Sequence, residues 1–330
     1  MNALISLVAV LVLIVLVLVG VGGAGLEYLF GVIIPYLALA TFIVGFVGRV
    51  INWARSPVPF RVPTTCGQQK TLPWIKSSKL DNPDSFWGVV VRMAMEVLFF
   101  RSLFRNTKAE LRDGPKLVYG SAKYLWAFSL AFHWSFLIIF IRHFRFFLEP
   151  VPSWIPLLQD LDGFFQIGLP IIYATDALIL AALTYLFFRR VIVPQVRYIS
   201  LPADYFPLLL LLGLVVSGIL MRYFYKTDIV AVKELTMGLL SLSPVIPEGI
   251  GLLFYVHLFM LSVLLMYFPF SKLMHLGGVF MSPTRNLANT NRYRRHVNPW
   301  DYPVKVHTYE EYEDEFRDLM KAADMPVEKE

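Results

Sequence analysis

Four of the six histidines lie in apolar segments, where an imidazole must have a polar or metal partner. His133 and His143 stand ten residues apart, and His257 and His275 stand eighteen apart in VHLFMLSVLLMYFPFSKLMH. A histidine within a membrane ligates a metal, relays a proton or hydrogen-bonds across a helix bundle. The two others lie in the polar C-terminal tail and are interpreted as ordinary surface residues: His296 and His307.

The spacings decide which way the four rings point. Eighteen residues make five helical turns, so His257 and His275 share one face about 27 Å apart. Ten residues leave His133 and His143 about 15 Å apart and roughly 80° around the axis, within one half of the helix. Each pair therefore faces one neighbour, although the rises differ. Pro269 lies between His257 and His275, and the bend that it favours would absorb part of the difference.

The two segments run in opposite directions, which predicts two layers: His133 with His275, and His143 with His257. A helix bundle holds b-type haem without a covalent link by placing one imidazole on each side of the flat macrocycle. The two layers predict two haems b. Pairing His133 with His257 would cross the layers, and a hydrogen-bonding or proton-relay role is the alternative for each histidine taken alone.

Cysteine is too scarce to build a competing cofactor site. Cys66 is the only one, so there is no disulfide framework and no cysteine ligand set for zinc or an iron–sulfur cluster. A CxxCH motif for covalent haem is absent as well. Any metal cofactor must therefore use histidine.

The composition indicates an all-α integral membrane protein. Of 330 residues, 57% are hydrophobic and 16% are charged, against roughly a quarter charged in soluble domains. The apolar segments reach the roughly 20 residues that cross a bilayer as a helix. The first lacks the basic n-region of a signal peptide, so we expect it to be retained. The six predicted transmembrane helices are residues 2–22, 30–52, 122–147, 165–188, 204–224 and 250–269.

Lysine and arginine set the orientation. Residues 54–121 contain eleven of them and residues 148–164 contain none, so the first of these loops is predicted to be cytoplasmic. With six spans, both termini then face the cytoplasm, in a multi-pass protein of the cell membrane. This bias accounts for the net charge of +6, so no nucleic-acid partner is required.

Three regions follow from this pattern. Residues 1–29 are predicted to form an additional N-terminal span with a short outer loop, residues 30–280 the di-haem membrane domain, and residues 281–330 a cytoplasmic tail.

Two cytoplasmic stretches depart from the membrane pattern. WGVVVRMAMEVLFFRSLFRN is interrupted by Arg92, Glu96 and Arg101, which favours a helix at the membrane interface over a span. The tail segment EEYEDEFRDLMKAA, residues 310–323, is predicted to form a short helix. Each is either a docking site for a cytoplasmic partner or simply solvated.

Charged residues near the predicted haem levels have two interpretations. Haem propionates need cationic partners at the membrane edge. Arg142 and Arg145 flank the outer histidine of the third span, and Arg189 and Arg190 end the fourth span on the inner side. Each is a propionate candidate, and each also suits a snorkelling arginine. Asp176 in the fourth span lines a proton path or makes a buried hydrogen bond.

Several stretches resemble the gamma subunit of respiratory nitrate reductase, the NarI family. They are the histidine segments with their spacings of ten and eighteen, together with IIPYLALATFIVGFVGR at 33–49 and RRVIVPQVRYISLPADY at 189–205. The resemblance covers residues 30–280. Within the family, the extra first helix, PFRVPTTCGQQKTLPWIK at 59–76 and the long tail are similar to the DsrM branch, the haem b subunits of DsrMKJOP complexes.

The resemblance implies a five-helix core with two b haems, in which His133 and His275 ligate the cytoplasm-proximal iron and His143 and His257 the distal iron. It also implies a menaquinol site near the outer haem and electron transfer to a cytoplasmic iron–sulfur subunit, DsrK, in dissimilatory sulfur metabolism. DsrK resembles heterodisulfide reductase, with the DsrC trisulfide as its proposed substrate. The wider complex would add DsrJ, DsrO and DsrP.

The chain departs from the nitrate reductase pattern in the outer loop. That family has a lysine associated with quinol binding, whereas residues 148–164 contain none. Asp160 and Asp162 lie in the comparable region, and with Arg142 they are the quinol-site candidates.

The leading expectation is a membrane electron carrier that passes electrons from menaquinol through two haems to an iron–sulfur partner, which would carry out the sulfur chemistry. A transporter or proton channel that uses His133, His143, His257 and Asp176 as a relay is the rival from another class. A purely structural anchor is the third interpretation.

Overall fold

A computed structural model describes residues 1–58, 67–165, 170–294 and 306–329. Cys66, His296 and part of the predicted fourth span lie outside these residues. The described chain is mainly helical, as predicted. The long helices are α1 (Asn2–Gly20), α2 (Ile34–Ala54, continuing a π-helical turn at Leu29–Ile33), α5 (Lys123–His143), α7 (Ala174–Ile192), α9 (Pro202–Tyr223) and α11 (Leu252–Tyr267).

Within the described residues, five helices are long and apolar enough to cross a membrane. They correspond to the first, second, third, fifth and sixth predicted spans. Their bounds are Asn2–Gly20, Leu29–Ala54, Lys123–Phe146, Pro202–Tyr223 and Leu252–Phe270.

The fourth predicted span, residues 165–188, was placed too early in the chain. Its first residue, Phe165, ends β3 (Gly163–Phe165), which pairs antiparallel with β4 (Ile172–Tyr173), and α7 begins only at Ala174. Pro170 precedes β4 and disfavours a helical conformation for the residue before it. The helix contains 19 residues and includes Asp176, Arg189 and Arg190.

The long helices pack in an order that links the histidine-bearing segments. α5 contacts α7, α7 contacts α9, α9 contacts α11 and α1, and α11 contacts α2. The core between α1, α9 and α11 contains Val17, Leu210 and Met260, each less than 2% exposed. A Cβ atom on Gly213 of α9 would lie 2.8 Å from the Sδ atom of Met260. Glycine therefore lets α9 and α11 approach closely.

The shorter elements lie between the long helices in the sequence or follow the last of them. On the predicted cytoplasmic side are α3 (Phe86–Phe99), α4 (Arg101–Phe104), a hairpin of β1 (Thr107–Arg112) with β2 (Lys116–Ser121), α8 (Pro194–Ile199), α12 (His275–Gly278), α13 (Pro283–Asn286) and α14 (Tyr309–Ala322). On the predicted outer side are α6 (Trp154–Asp162) and α10 (Ile229–Leu240). α14 confirms the predicted tail helix. The two small sheets were not predicted, although Asp113-Gly114 at the turn of the first is a hairpin signal.

Candidate functional site

The structure brings the four histidines together as two facing pairs. The ring centres of His133 and His275 lie 6.0 Å apart, and those of His143 and His257 lie 6.5 Å apart. The planes of the first pair meet at 77°, whereas those of the second differ by only 3°. His133 and His143 stand on α5, His257 on α11, and His275 begins α12.

A break after α11 explains how unequal spacings produce two level pairs. Ten residues separate His257 from Tyr267, where α11 ends, and this matches the about 15 Å rise between His133 and His143. Two 3₁₀ turns, Phe268–Phe270 and Lys272–Met274, follow on either side of an extended Ser271 (φ −116°, ψ 177°). These turns take the place of the further turns of α11 that would have carried His275 farther along the helix axis.

The break is held in place by a close approach to α2. Pro269 is fully buried, and a Cβ atom on Gly45 would lie only 2.7 Å from its Cβ atom. The ring of Phe268 packs edge-to-face on Phe42 at 5.5 Å. Because α2 and the turn fit together this closely, the position from which His275 projects is well determined.

All four rings use their Nδ1 atom for a hydrogen bond. Nδ1 lies 2.7 Å from the Ser129 carbonyl in His133, 2.7 Å from that of Ile139 in His143, and 2.9 Å from that of Lys272 in His275. A carbonyl oxygen only accepts, so each Nδ1 carries the proton and each Nε2 keeps a free lone pair. This is the tautomer that a metal ligand requires.

Ser217 of α9 orients the fourth ring. Its hydroxyl donates to the Leu214 carbonyl at 3.0 Å, so its oxygen accepts from Nδ1–H of His257 at 2.8 Å. A Cβ atom on Gly218 would meet the same ring at 3.5 Å. Nothing in the sequence pairs Ser217 with a residue forty positions away, so the sequence does not predict its role.

The donor set fits a metal with a planar equatorial ligand. Metal bonds of about 2.0 to 2.1 Å to two imidazole nitrogens on opposite faces place the ring centres roughly 6.3 Å apart, and both observed separations lie close to this value. Among the described residues, no group of three or more His, Cys, Asp or Glu side chains could hold a metal ion. Two nitrogens per centre leave the remaining positions to a macrocycle such as haem.

A buried ionic network lies beside the pair of His143 and His257, which is predicted to lie toward the outside and is called the outer pair below. Arg142, which precedes His143, is 8% exposed. Its terminal nitrogens lie 2.9 Å from Asp162 Oδ2 and 2.8 Å from Asp176 Oδ1. Asp162 also accepts from the backbone N–H and the hydroxyl of Thr175 at 3.0 and 2.6 Å. The guanidinium of Arg142 is thus occupied by two carboxylates and joins α5, α6 and α7.

Two tyrosines extend the network to α9. The hydroxyl of Tyr223 donates to Asp176 Oδ2 at 2.9 Å and accepts from the Tyr173 N–H at 3.1 Å. The buried ring of Tyr173 lies between two guanidinium groups, at 3.7 Å from that of Arg142 and 4.0 Å from that of Arg222. The two arginines balance the two carboxylates in charge. Tyr223 and Arg222 were not predicted, since they lie at the end of the fifth span with no motif to single them out.

The remaining predicted residues lie apart from this network. Asp160 is exposed on α6. Arg145 lies on the 3₁₀ turn after α5, with its guanidinium 5.7 Å from the ring centre of Phe146. Arg190 donates to the Ser200 hydroxyl at 3.1 Å. Arg189 is half-buried at the end of α7.

Comparison with known proteins places this geometry in a family. Residues 85–296 match the nitrate reductase gamma subunit family, and this range includes all four paired histidines. The chain belongs to the nitrate reductase gamma subunit family. It is a multi-pass membrane protein, which agrees with its apolar helices.

Two proteins from Archaeoglobus are similar over most of their length. An "Hdr-like menaquinol oxidoreductase cytochrome b-like subunit" of Archaeoglobus fulgidus is 48% identical over 280 residues, or 83% of each chain. A protein of the same description from Archaeoglobus profundus is 40% identical over 275 residues, or 81% of each chain. These similarities confirm the family that the sequence motifs indicated, and they fit the DsrM type.

Proposed function

We propose that this chain is the di-haem cytochrome b subunit of a membrane-bound menaquinol oxidoreductase, and that it carries electrons between menaquinol and an iron–sulfur partner in the cytoplasm. The observation that supports this most directly is the two facing histidine pairs, each with Nδ1 protonated and Nε2 free. The description of the Archaeoglobus relatives supports the substrate and the cytochrome b character.

His133 and His275 would hold the haem nearer the cytoplasm, and His143 and His257 the distal haem. Haem b supplies a centre that accepts and gives up one electron at a time. The chain fixes the ring planes through the four Nδ1 hydrogen bonds.

The assignment of propionate partners follows from which arginines are already engaged. Arg142 has both terminal nitrogens on carboxylates, so we assign it to the outer network rather than to a propionate. Arg145 remains the outer candidate. Arg189 and Arg190 remain the candidates on the inner side.

The outer network is the proposed acceptor of quinol protons. Asp162 already accepts two hydrogen bonds from Thr175 and pairs with Arg142. Asp176 shares its charge between Arg142 and the Tyr223 hydroxyl. A proton that reaches the Tyr223 hydroxyl would pass along its hydrogen bond to the Asp176 carboxylate, in a cluster whose charges are otherwise balanced. Asp160 is exposed and is not required in this scheme.

The proposed topology includes α7 as the sixth span. Its 19 residues rise about 28 Å, close to the thickness of the hydrocarbon core. Asp176 at one end is neutralised by Arg142, and Arg189 and Arg190 lie in the last turn, where they reach the cytoplasmic interface. Both termini would then be cytoplasmic.

The proposed partner is a DsrK-like iron–sulfur subunit resembling heterodisulfide reductase, in a complex that would also contain DsrJ, DsrO and DsrP and act in dissimilatory sulfur metabolism. The term "Hdr-like" in the relatives' description supports this class of partner. Co-purification of an iron–sulfur protein with the tagged chain from native membranes is the corresponding test.

A reduced-minus-oxidised visible spectrum tests the haem proposal. We expect a b-type band with two haems per chain. His133→Leu and His275→Leu should lose the same haem, and His143→Leu and His257→Leu the other. His307→Leu, which removes a histidine of the tail, is the matched control. A purified wild-type chain without a b-type band would contradict the proposal and favour a proton relay.

A further inference from the structure

The junction between α3 and α4 reaches into the membrane domain and contacts an inner histidine. Phe100 separates the two helices and adopts a left-handed backbone conformation, φ 50° and ψ 48°. This conformation is disfavoured for a bulky residue with a Cβ atom. It persists only where surrounding contacts determine it.

Those contacts come first from the junction itself. The N–H of Phe100 donates to the Glu96 carbonyl at 3.1 Å. The Glu96 carboxylate accepts from the N–H of Ser102 at 3.2 Å and from the Ser102 hydroxyl, which caps the start of α4. Arg101 pairs with Asp81 at 3.1 Å. The turn is therefore closed by side chains on both of its sides.

Two tryptophans of α5 then anchor the junction to a spanning helix. The indole N–H of Trp126 donates to the Phe99 carbonyl at 2.7 Å, and that of Trp134 donates to the Leu98 carbonyl at 3.0 Å. These are carbonyls at the end of α3 that lack an intrahelical partner. The end of α3 is thus attached to the same helix that carries His133.

The consequence is an edge-to-face contact between Phe100 and His133. Their ring centres lie 4.9 Å apart at 86°, while Phe132 packs on the same imidazole at 4.8 Å and 76°. Phe132 belongs to α5 itself, whereas Phe100 comes from residues 54–121, the predicted cytoplasmic loop, which is called the cytoplasmic insertion below. Phe100 therefore restricts rotation of His133 and covers it from the cytoplasmic side.

We propose that Phe100 is a positioning residue for the inner centre: it sets the plane of His133 against that of His275 and shields His133 from cytoplasmic water. The left-handed turn between α3 and α4 is the feature that delivers its ring. This inference rests on the proposed haem ligation, and it adds that the cytoplasmic insertion tunes one centre and not the other.

The test compares the inner and outer centres in the full-length chain by a redox titration and by the ferric low-spin spectrum. Phe100→Ala removes the ring and keeps the backbone constraint, whereas Phe100→Gly removes both. Water admitted near His133 stabilises the more highly charged ferric form. We expect at least a threefold rise in the ferric-to-ferrous ratio of the inner centre at fixed potential, about 28 mV. The outer centre should be unchanged.

Phe104→Ala is the matched control, because Phe104 lies one turn along and packs on Trp126 at 4.8 Å. The proposal is overturned if both Phe100 variants leave the inner centre unchanged, or if both centres shift equally. It is also overturned if Phe104→Ala shifts the inner centre as strongly, or if the Phe100 variants fail to accumulate while Phe104→Ala accumulates normally. Absence of haem from the wild-type chain would instead contradict the proposed function.

Discussion

Replacing Arg142 by Met should damage the outer centre while sparing the inner one. The side chain is 8% exposed and is shared by two carboxylates, at 2.9 and 2.8 Å. Its loss leaves Asp162 and Asp176 near each other without their common cation. Breaking a buried ion pair from one side costs about 3 to 5 kcal/mol.

The magnitude at the haem follows from the position of Arg142 next to His143. Each 1.4 kcal/mol changes an equilibrium constant about tenfold. If half of this free energy opposes haem binding by His143, the affinity of the outer site for haem falls at least about tenfold. Asp176→Asn should cost less, about 1 to 3 kcal/mol, because Asp162 still neutralises Arg142.

The assay is haem content per chain, with the two centres distinguished by their spectra. Arg197→Met is the control, since it removes an exposed arginine of α8 that has no proposed role at either centre. Replacing Arg142 by Met together with Asp162→Asn and Asp176→Asn removes all three charges and should recover much of the loss. Full occupancy of the outer site in Arg142→Met would refute the reasoning.

Three further predictions concern other contacts. Ser217→Ala removes the acceptor for Nδ1–H of His257 and should weaken haem retention at the outer site by roughly tenfold or more in a haem-transfer assay. Ser262→Ala, which loses only a bond within α11, should not weaken it. The 77° and 3° ring angles predict two distinct ferric low-spin signals, and a single signal from two occupied sites would contradict this. Burial tends to raise the pKa of Asp81, but hydrogen bonds from Arg105 and Arg101 hold this pKa below its usual value. The carboxylate therefore stabilises α4 above about pH 4 and loses this effect as it protonates. Hydrogen-exchange protection factors in α4, which are corrected for the intrinsic pH dependence of exchange, should fall on acidification in the wild type and stay constant in Asp81→Asn.

The histidine pairs could be predicted because two strong signals agree. Apolar length defines the spans, and the lysine and arginine bias orients them, so antiparallel helices bring His133 level with His275. The exact path to His275 could not be predicted. Pro269 indicated a bend, but the bend angle depends on packing against Gly45 of α2.

The outer network could be predicted only in part from the sequence. Arg142 and Asp162 were recognised as functional candidates, yet their mutual pairing depends on the β3 and β4 hairpin, which sets α7 about nine residues later than hydropathy suggested. Hydropathy averages over about 19 residues and does not detect such a short irregular entry. Tyr223 reaches Asp176 only because α7 packs against α9.

The interruption after Tyr267 makes the two halves of the site unequal. On α5 a single uninterrupted helix carries both histidines, so the distance between the two centres is set by helical rise alone. On the other side, His257 and His275 stand on separate pieces joined by the short turns of residues 268–274. A change in the length of that joint would affect only the inner centre, whereas one residue added to α5 between its histidines would disturb both. Changes in length should therefore be tolerated less in α5, which sets the distance between the two centres, than in the joint, where they reach only the inner centre.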